Sequence, residues 1–345
     1  MQHRVVGWAA VAMAAFVAWP AARAQSATSA VLDTPVAPVN DLPNPYKRIE
    51  GWAELPKGME WPAVTGVQEG PDGNLYVLER CHENSCAGRT EPPLLVLSKS
   101  GKLIRAWGSG LFNFPHGLWV DREGNVWITD AHAEGGKGNQ VFKFTSEGKL
   151  LATIGQAGVA GNGPDTFNQP TAVLVAPNGD IFVVDGHRPT KNNRIVKFSK
   201  DGKFIQAWGM TGHEPGQISE PHTLAMDSRG RLFVGDRENN RIQIFDQEGR
   251  LLAIWRQFGR PSGIWIAKDD TIYVADSESW GPDEPGWKKG IRVGSAKDGK
   301  VTAFIEDLEA TTQEHSGAEQ VGVDDQGNVY GAVVRRKMLE KFVKQ

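Results

Sequence analysis

The chain has 345 residues, a nearly balanced formal charge of −3, forty glycines and twelve tryptophans. That balance excludes a strongly basic nucleic-acid surface. The absence of a long helical apolar period argues for many short strands joined by turns, and the length suits one large repeat domain.

In chain order, Arg4, the apolar run Val5 to Trp19 and the small-x-small site Ala22-Arg23-Ala24 predict a cleaved signal peptide over residues 1–24. No later stretch is long and apolar enough to span a bilayer. The expected location is therefore periplasmic or secreted, with no membrane span after cleavage. Residues 25–44, rich in Ala, Ser, Thr and Pro, are expected to be a disordered lead-in. The domain proper is expected over 45–345, beginning with a strand in Tyr46 to Trp52. Cys81 and Cys86 are the two cysteines. In an exported protein they predict a disulfide across a short loop, contributing roughly 2 kcal/mol.

A strand–turn–strand sentence then repeats along the chain. Pro115-His-Gly-Leu-Trp-Val-Asp-Arg-Glu-Gly-Asn-Val-Trp-Ile-Thr-Asp130 is written again from Pro170 to Asp185 and from Pro221 to Asp236, with related copies from Pro62, Pro261 and Ala318. Turn glycines Gly73, Gly124, Gly179 and Gly230 recur at roughly 50 residues, a period that fits four-stranded propeller blades. The expected fold is all-β, a six-bladed β-propeller. Its sixth repeat lacks an outermost strand, which Tyr46 to Trp52 is expected to supply, protecting the free edges.

Propeller topology brings two sets of residues to one rim of the central channel. The loops entering the innermost strands contribute His116, Thr171, His222, Ser262 and Glu319, with His315 nearby; the ends of the second strands contribute Arg80, Asp130, Asp185, Asp236 and Asp276, followed by His132, His187 and Arg237. The Asp residues recur in blade after blade and are expected to satisfy backbone N–H groups. Pro-His occurs twice in one slot, which suits a shared divalent metal such as zinc. Arginine at a channel rim suits bidentate capture of a carboxylate.

Pro115-His-Gly-Leu, Asn193-Arg-Ile-Val-Lys-Phe-Ser and Gly216-Gln-Ile-Ser-Glu-Pro-His-Thr-Leu-Ala, leading to Asp236-Arg-Glu-Asn-Asn-Arg-Ile-Gln, resemble the NHL-repeat lyase domain of the peptidyl-α-hydroxyglycine α-amidating enzymes. The resemblance is good over about 60–255 and weak over the last two blades. It implies zinc, or another divalent metal, at His116 and His222, and a structural calcium. It implies Arg80 and Arg237 on the substrate carboxylate, and cleavage of a peptidyl-α-hydroxyglycine to an amide and glyoxylate. The family's catalytic tyrosine is replaced by His187, which becomes the candidate base. The third metal histidine is displaced, leaving His315 or Glu319 as candidate third ligand, and the family's calcium-linked Pro-His-Asp is His315-Ser-Gly here. The expected partner is a small-molecule or peptide substrate with a carboxylate. Two other readings stand beside the lyase: a metal-dependent lactonase of the gluconolactonase type, favoured if Glu319 joins the metal, and an NHL-repeat module that binds a protein partner without turnover.

Overall fold

A computed structural model of the protein describes residues 31–53, 55–81, 83–187, 192–281 and 284–345. The expected signal peptide lies outside the described residues. Six antiparallel four-stranded sheets follow one another along the chain. Their innermost strands are Val64–Glu69, Pro115–Val120, Pro170–Val175, Pro221–Met226, Gly263–Ile266 and Ala318–Val323. Each packs against the next and the sixth against the first, so the sheets close into a six-bladed propeller around a central channel. No helix of the described residues is long and apolar enough to cross a membrane.

Strand period explains the packing. Successive side chains point to opposite faces of a sheet, so Val126 and Ile128 pack toward blade one while Trp127 between them packs toward blade three. Six apolar clusters result, one between each pair of neighbouring blades. The second strands are buried throughout, as in Ile181–Asp185 and Leu232–Asp236, whereas outer strands such as Phe204–Trp208 are largely exposed. Blade five carries its two outer strands at Gly290–Ser295 and Val301–Glu306, beyond the Trp/Pro/Gly-rich insertion.

The ring closes as its repeat arithmetic requires. Tyr46–Arg48 pairs antiparallel with Met338–Lys344, Tyr46 opposite Lys344 and Arg48 opposite Phe342. The chain before that strand has no regular secondary structure over 31–45 but is tethered to the blades. Asp33 accepts from Arg256 Nη2 at 2.7 Å and also pairs with Arg241. Asn40 accepts from Arg292 Nη2 at 2.8 Å and donates to the Gly286 carbonyl at 2.6 Å.

The recurrent aspartates fasten the loops that carry the channel residues. Asp130 accepts the backbone N–H groups of Asn113 and Phe114, Asp185 that of Asn168, Asp236 that of Ser219, and Asp276 that of Arg260. Each loop is thereby pinned just before its inner strand begins. At the other end of the channel, Trp119 and Trp265 come from opposite blades and meet across the axis with ring centroids 6.4 Å apart. Each lies three positions beyond the residue its blade contributes to the other rim, His116 and Ser262, about 10 Å along an extended strand.

Candidate active site at the channel mouth

Blades two, three and four carry a β-bulge at the start of the inner strand, between Pro115 and Leu118, Pro170 and Ala172, and Pro221 and Thr223; blades one and six carry similar shifts. A bulge re-aims a side chain, and the residues at this position are Thr65, His116, Thr171, His222 and Glu319, with Ser262 at the entry to blade five. Several tie to the following blade. His116 Nδ1 meets the Thr171 carbonyl at 2.8 Å, Thr171 Oγ1 donates to the Pro221 carbonyl at 2.5 Å, and His222 Nδ1 meets the Ser262 carbonyl at 2.8 Å.

Those tethers fix the histidine tautomers. A carbonyl only accepts, so Nδ1 of His116 and of His222 carries a proton, and in the neutral ring Nε2 is left to present its lone pair. Among the described residues both Nε2 atoms are buried with no hydrogen-bond partner. His187 joins them: the three residues offer ring nitrogens that all lie within 4.8 Å of one another. Ring centroids are 4.7 Å apart for His116 and His222, 5.2 Å for His116 and His187, and 5.6 Å for His187 and His222. Burial, reinforced by His222 and Arg80, holds His116 well below the usual imidazole range. Burial together with His222 and Arg237 pushes His187 down to about 3. His116 and His187 are therefore neutral at physiological pH, the form that ligates metals.

Three carboxylates and two arginines surround this group. Glu319 Oε1 is 3.3 Å from His222 Nε2. Burial pushes Glu319 up, but His222, Arg237 and Arg80 outweigh it and hold the group ionised. An ionised carboxylate facing an imidazole lone pair is repulsive unless a proton or a cation lies between them. Glu220 bridges Arg237 Nη2 at 2.6 Å and His187 Nε2 at 3.5 Å. Its backbone is left-handed, φ +58°, although a proline follows. Such a conformation is costly for the residue before proline, and it recurs at Gln169 before Pro170 with φ +67°, so it belongs to the loop that enters the blade. Glu278 lies 3.8 Å from Arg237 Nη1. Arg80 lies flat on Phe114, its guanidinium carbon 3.7 Å from the ring centroid, and Phe114 stacks on His132 at 3.8 Å.

The residues present fit a divalent metal. Two buried, fixed Nε2 lone pairs converge with a third imidazole, a donor set typical of zinc. The formal charge of Arg80, Arg237, Glu220, Glu278 and Glu319 is −1, so a dication leaves a net positive pocket for an anionic substrate.

The structure thus brings together Arg80, His116, His187, His222, Arg237 and Glu319. It leaves His315 aside: that side chain is exposed on the loop before blade six, where its carbonyl accepts from Lys289 Nζ at 2.8 Å. The loop runs outward there, and the bulged Ala318–Glu319 step turns Glu319 inward instead. Glu220, Glu278 and Phe114 are site residues that the motif reading passed over. For Glu220 a signal existed, an acidic residue directly before Pro-His where blade two has Phe114. The Cys81–Cys86 disulfide is formed.

An NHL repeat family model matches residues 219–245, the segment carrying Glu220, His222, Asp236 and Arg237. NHL repeat-containing protein 3 of Mus musculus is 34% identical over 325 residues, covering 88% of this chain and 85% of that protein. The chain belongs to the NHL repeat-containing family. This NHL-repeat propeller is also 35% identical over 211 residues to peptidyl-alpha-hydroxyglycine alpha-amidating lyase 1 of Drosophila melanogaster, across 52% of its own length and 37% of the lyase. It spans 24% of the Xenopus laevis peptidyl-glycine alpha-amidating monooxygenase B, at 36% identity. Among solved structures, a gluconolactonase of Xanthomonas campestris superposes with a TM-score of 0.56 over 82% of this chain and 86% of that one, at 15% identity, a likeness of fold alone.

Proposed function

We propose that this NHL-repeat propeller is an exported, metal-dependent carbon–nitrogen lyase that cleaves a peptidyl-α-hydroxyglycine, or a related carboxylate-bearing substrate, to an amide and glyoxylate. The observation that carries this reading is the trio of imidazoles, His116, His187 and His222, converging between two buried arginines. The named amidating relatives support the reaction class. The disulfide supports an oxidising compartment.

His116, His222 and His187 would hold the metal, with Glu319 beside them. Bound there, a divalent cation supplies Lewis acidity that lowers the pKa of a substrate hydroxyl. Arg80 and Arg237 line the pocket with positive charge and orient the substrate carboxylate. Glu319, ionised at the cluster's edge, accepts the hydroxyl proton. The oxygen's electron pair then forms the glyoxylate carbonyl, the C–N bond breaks toward nitrogen, and the proton returns to that nitrogen to give the amide. Glu220, held by Arg237, sets the orientation of the His187 ring in the manner of a carboxylate behind a metal histidine. His187 accordingly serves as ligand, the role its position among the imidazoles suits better than that of base.

The test is elemental analysis of the mature protein and of His116→Ala/His222→Ala, with glyoxylate release measured from a peptidyl-α-hydroxyglycine. About one divalent ion per chain, lost in the double variant together with glyoxylate release, is the expected result. Equal metal in both proteins, or none in either after zinc is offered and washed out, sinks the metal reading. Metal without glyoxylate, accompanied by lactone opening, moves the assignment to the hydrolase, the second reading that the Glu319–His222 contact favours.

A further inference from the structure

The two arginines of the pocket are not equivalent. Arg237 pairs with Glu220 and lies near Glu278, although its Nε and Nη1 also lack a hydrogen-bond acceptor among the described residues. Arg80 has no carboxylate in direct contact among the described residues, Glu319 acting on it only from farther off, and its nearest partners are neutral. Its Nε donates to the Pro115 carbonyl at 3.2 Å, its Nη1 to Asn84 Oδ1 at 2.6 Å, and Phe114 covers one face. The remaining amine, Nη2, has no acceptor among the described residues, and the whole residue is only 2% exposed. A buried charged donor left without a partner is costly, and an arriving carboxylate removes that cost.

Asn84 lies inside the loop that the Cys81–Cys86 disulfide closes, and Cys81 directly follows Arg80. The far side of that loop is docked as well: the Cys86 N–H donates to the Asn113 carbonyl at 2.7 Å, and Ser85 Oγ to the same oxygen at 3.2 Å. Asn113 is one of the two amides pinned by Asp130. The disulfide loop therefore connects Arg80 at one end with the Asn113 carbonyl at the other, and Asn84 is the loop side chain that reaches Arg80.

We propose that this disulfide-closed loop is a built part of the anion site, in which Asn84 positions Arg80 so that Nη2 faces an incoming carboxylate, and that the crosslink sets how tightly a carboxylate is held. The proposal rests on the reading above that the substrate carries a carboxylate. Asn84 is a positioning residue, and its effect is specific to charge: it tightens the grip on an anion and leaves a neutral analogue untouched.

The probe is glyoxylate, with its neutral methyl ester as control, titrated calorimetrically into the metal-loaded wild type, Asn84→Ala and Cys81→Ser/Cys86→Ser. Glyoxylate is expected to bind about tenfold more weakly to both variants, with methyl ester affinity and metal content unchanged. In turnover, KM rises with kcat little altered. Asn84→Asp, which places a competing carboxylate on Arg80, weakens glyoxylate at least as much and again spares the ester. Equal losses for glyoxylate and ester, unchanged glyoxylate affinity in Asn84→Ala, or a wild type that does not prefer the anion would each overturn the proposal. A wild type that prefers glyoxylate yet releases none from a hydroxyglycine peptide would remove the lyase assignment and leave this one standing. If the double cysteine variant does not fold, Asn84→Ala decides alone.

Discussion

Glu79 occupies in blade one the strand-end position that Asp130, Asp185, Asp236 and Asp276 occupy elsewhere. The aspartates reach the amide groups of the preceding loop; Glu79, one methylene longer, is buried with Oε2 unpartnered. Burial first, and then the charge of Glu91, push its carboxyl up to about 8 against the pull of the Cys81 amide. The unfolded chain releases this proton near 4.5, so between about 4.5 and 8 the native state binds more protons than the unfolded one. The contribution is fully present below the lower value and is lost as pH rises through the upper one. Glu79→Gln should match wild type near pH 5 and exceed its Tm by roughly a few degrees near pH 9. Thermal unfolding at the two pH values checks this; an identical difference at both refutes it. Residue by residue, what could be foreseen were the side chains that a repeat makes conspicuous: His116 and His222 share a slot, and Arg80 and Arg237 share another. Glu220 and Asn84 owe their roles to contacts across loops, which no spacing in the chain encodes.

At the scale of the strand, the bulge is what aims the histidine of a Pro-His dipeptide into the channel, and it tolerates little. A Cβ added at Gly117 would stand 2.5 Å from the Thr171 carbonyl oxygen and 2.7 Å from the Ala172 Cα, both backbone atoms of the next blade. That carbonyl is the acceptor for His116 Nδ1. Gly117→Ala should therefore cost about 1–3 kcal/mol of stability by overpacking and free the His116 ring, weakening metal binding by roughly tenfold or more. Urea unfolding and chelator competition test the two effects separately, and a variant with native metal affinity would disprove the link. The strands themselves were easy to foresee, because apolar alternation and turn glycines mark each one. Their inward or outward aim at the channel was not: the bulge decides it, as the pair His315 and Glu319, four positions apart, illustrates. The blade-five insertion likewise hid two regular strands behind turn-rich residues.

At the scale of the molecule, closure depends on the N-terminal strand. Without Tyr46–Arg48 the sixth blade would offer Met338–Lys344 as a bare edge, and the Asp33 and Asn40 tethers would go with it. A protein lacking residues 1–49 should lose on the order of 10 °C in Tm and associate edge to edge; calorimetry and light scattering would read both, and an unchanged monomer would contradict the role given to closure. This closure was foreseeable because the count of strands came out one short at the end and one over at the start.

The meeting of Trp119 and Trp265 has a further consequence. A tube stoppered at one end is a cul-de-sac: it receives the tail of a chain and refuses its middle. Under the proposed lyase reading, the substrate that reaches His116 and His222 enters by this mouth, and its products leave along the path by which it came. Traffic through one doorway makes departing product and arriving substrate rivals, so the smaller product should inhibit competitively.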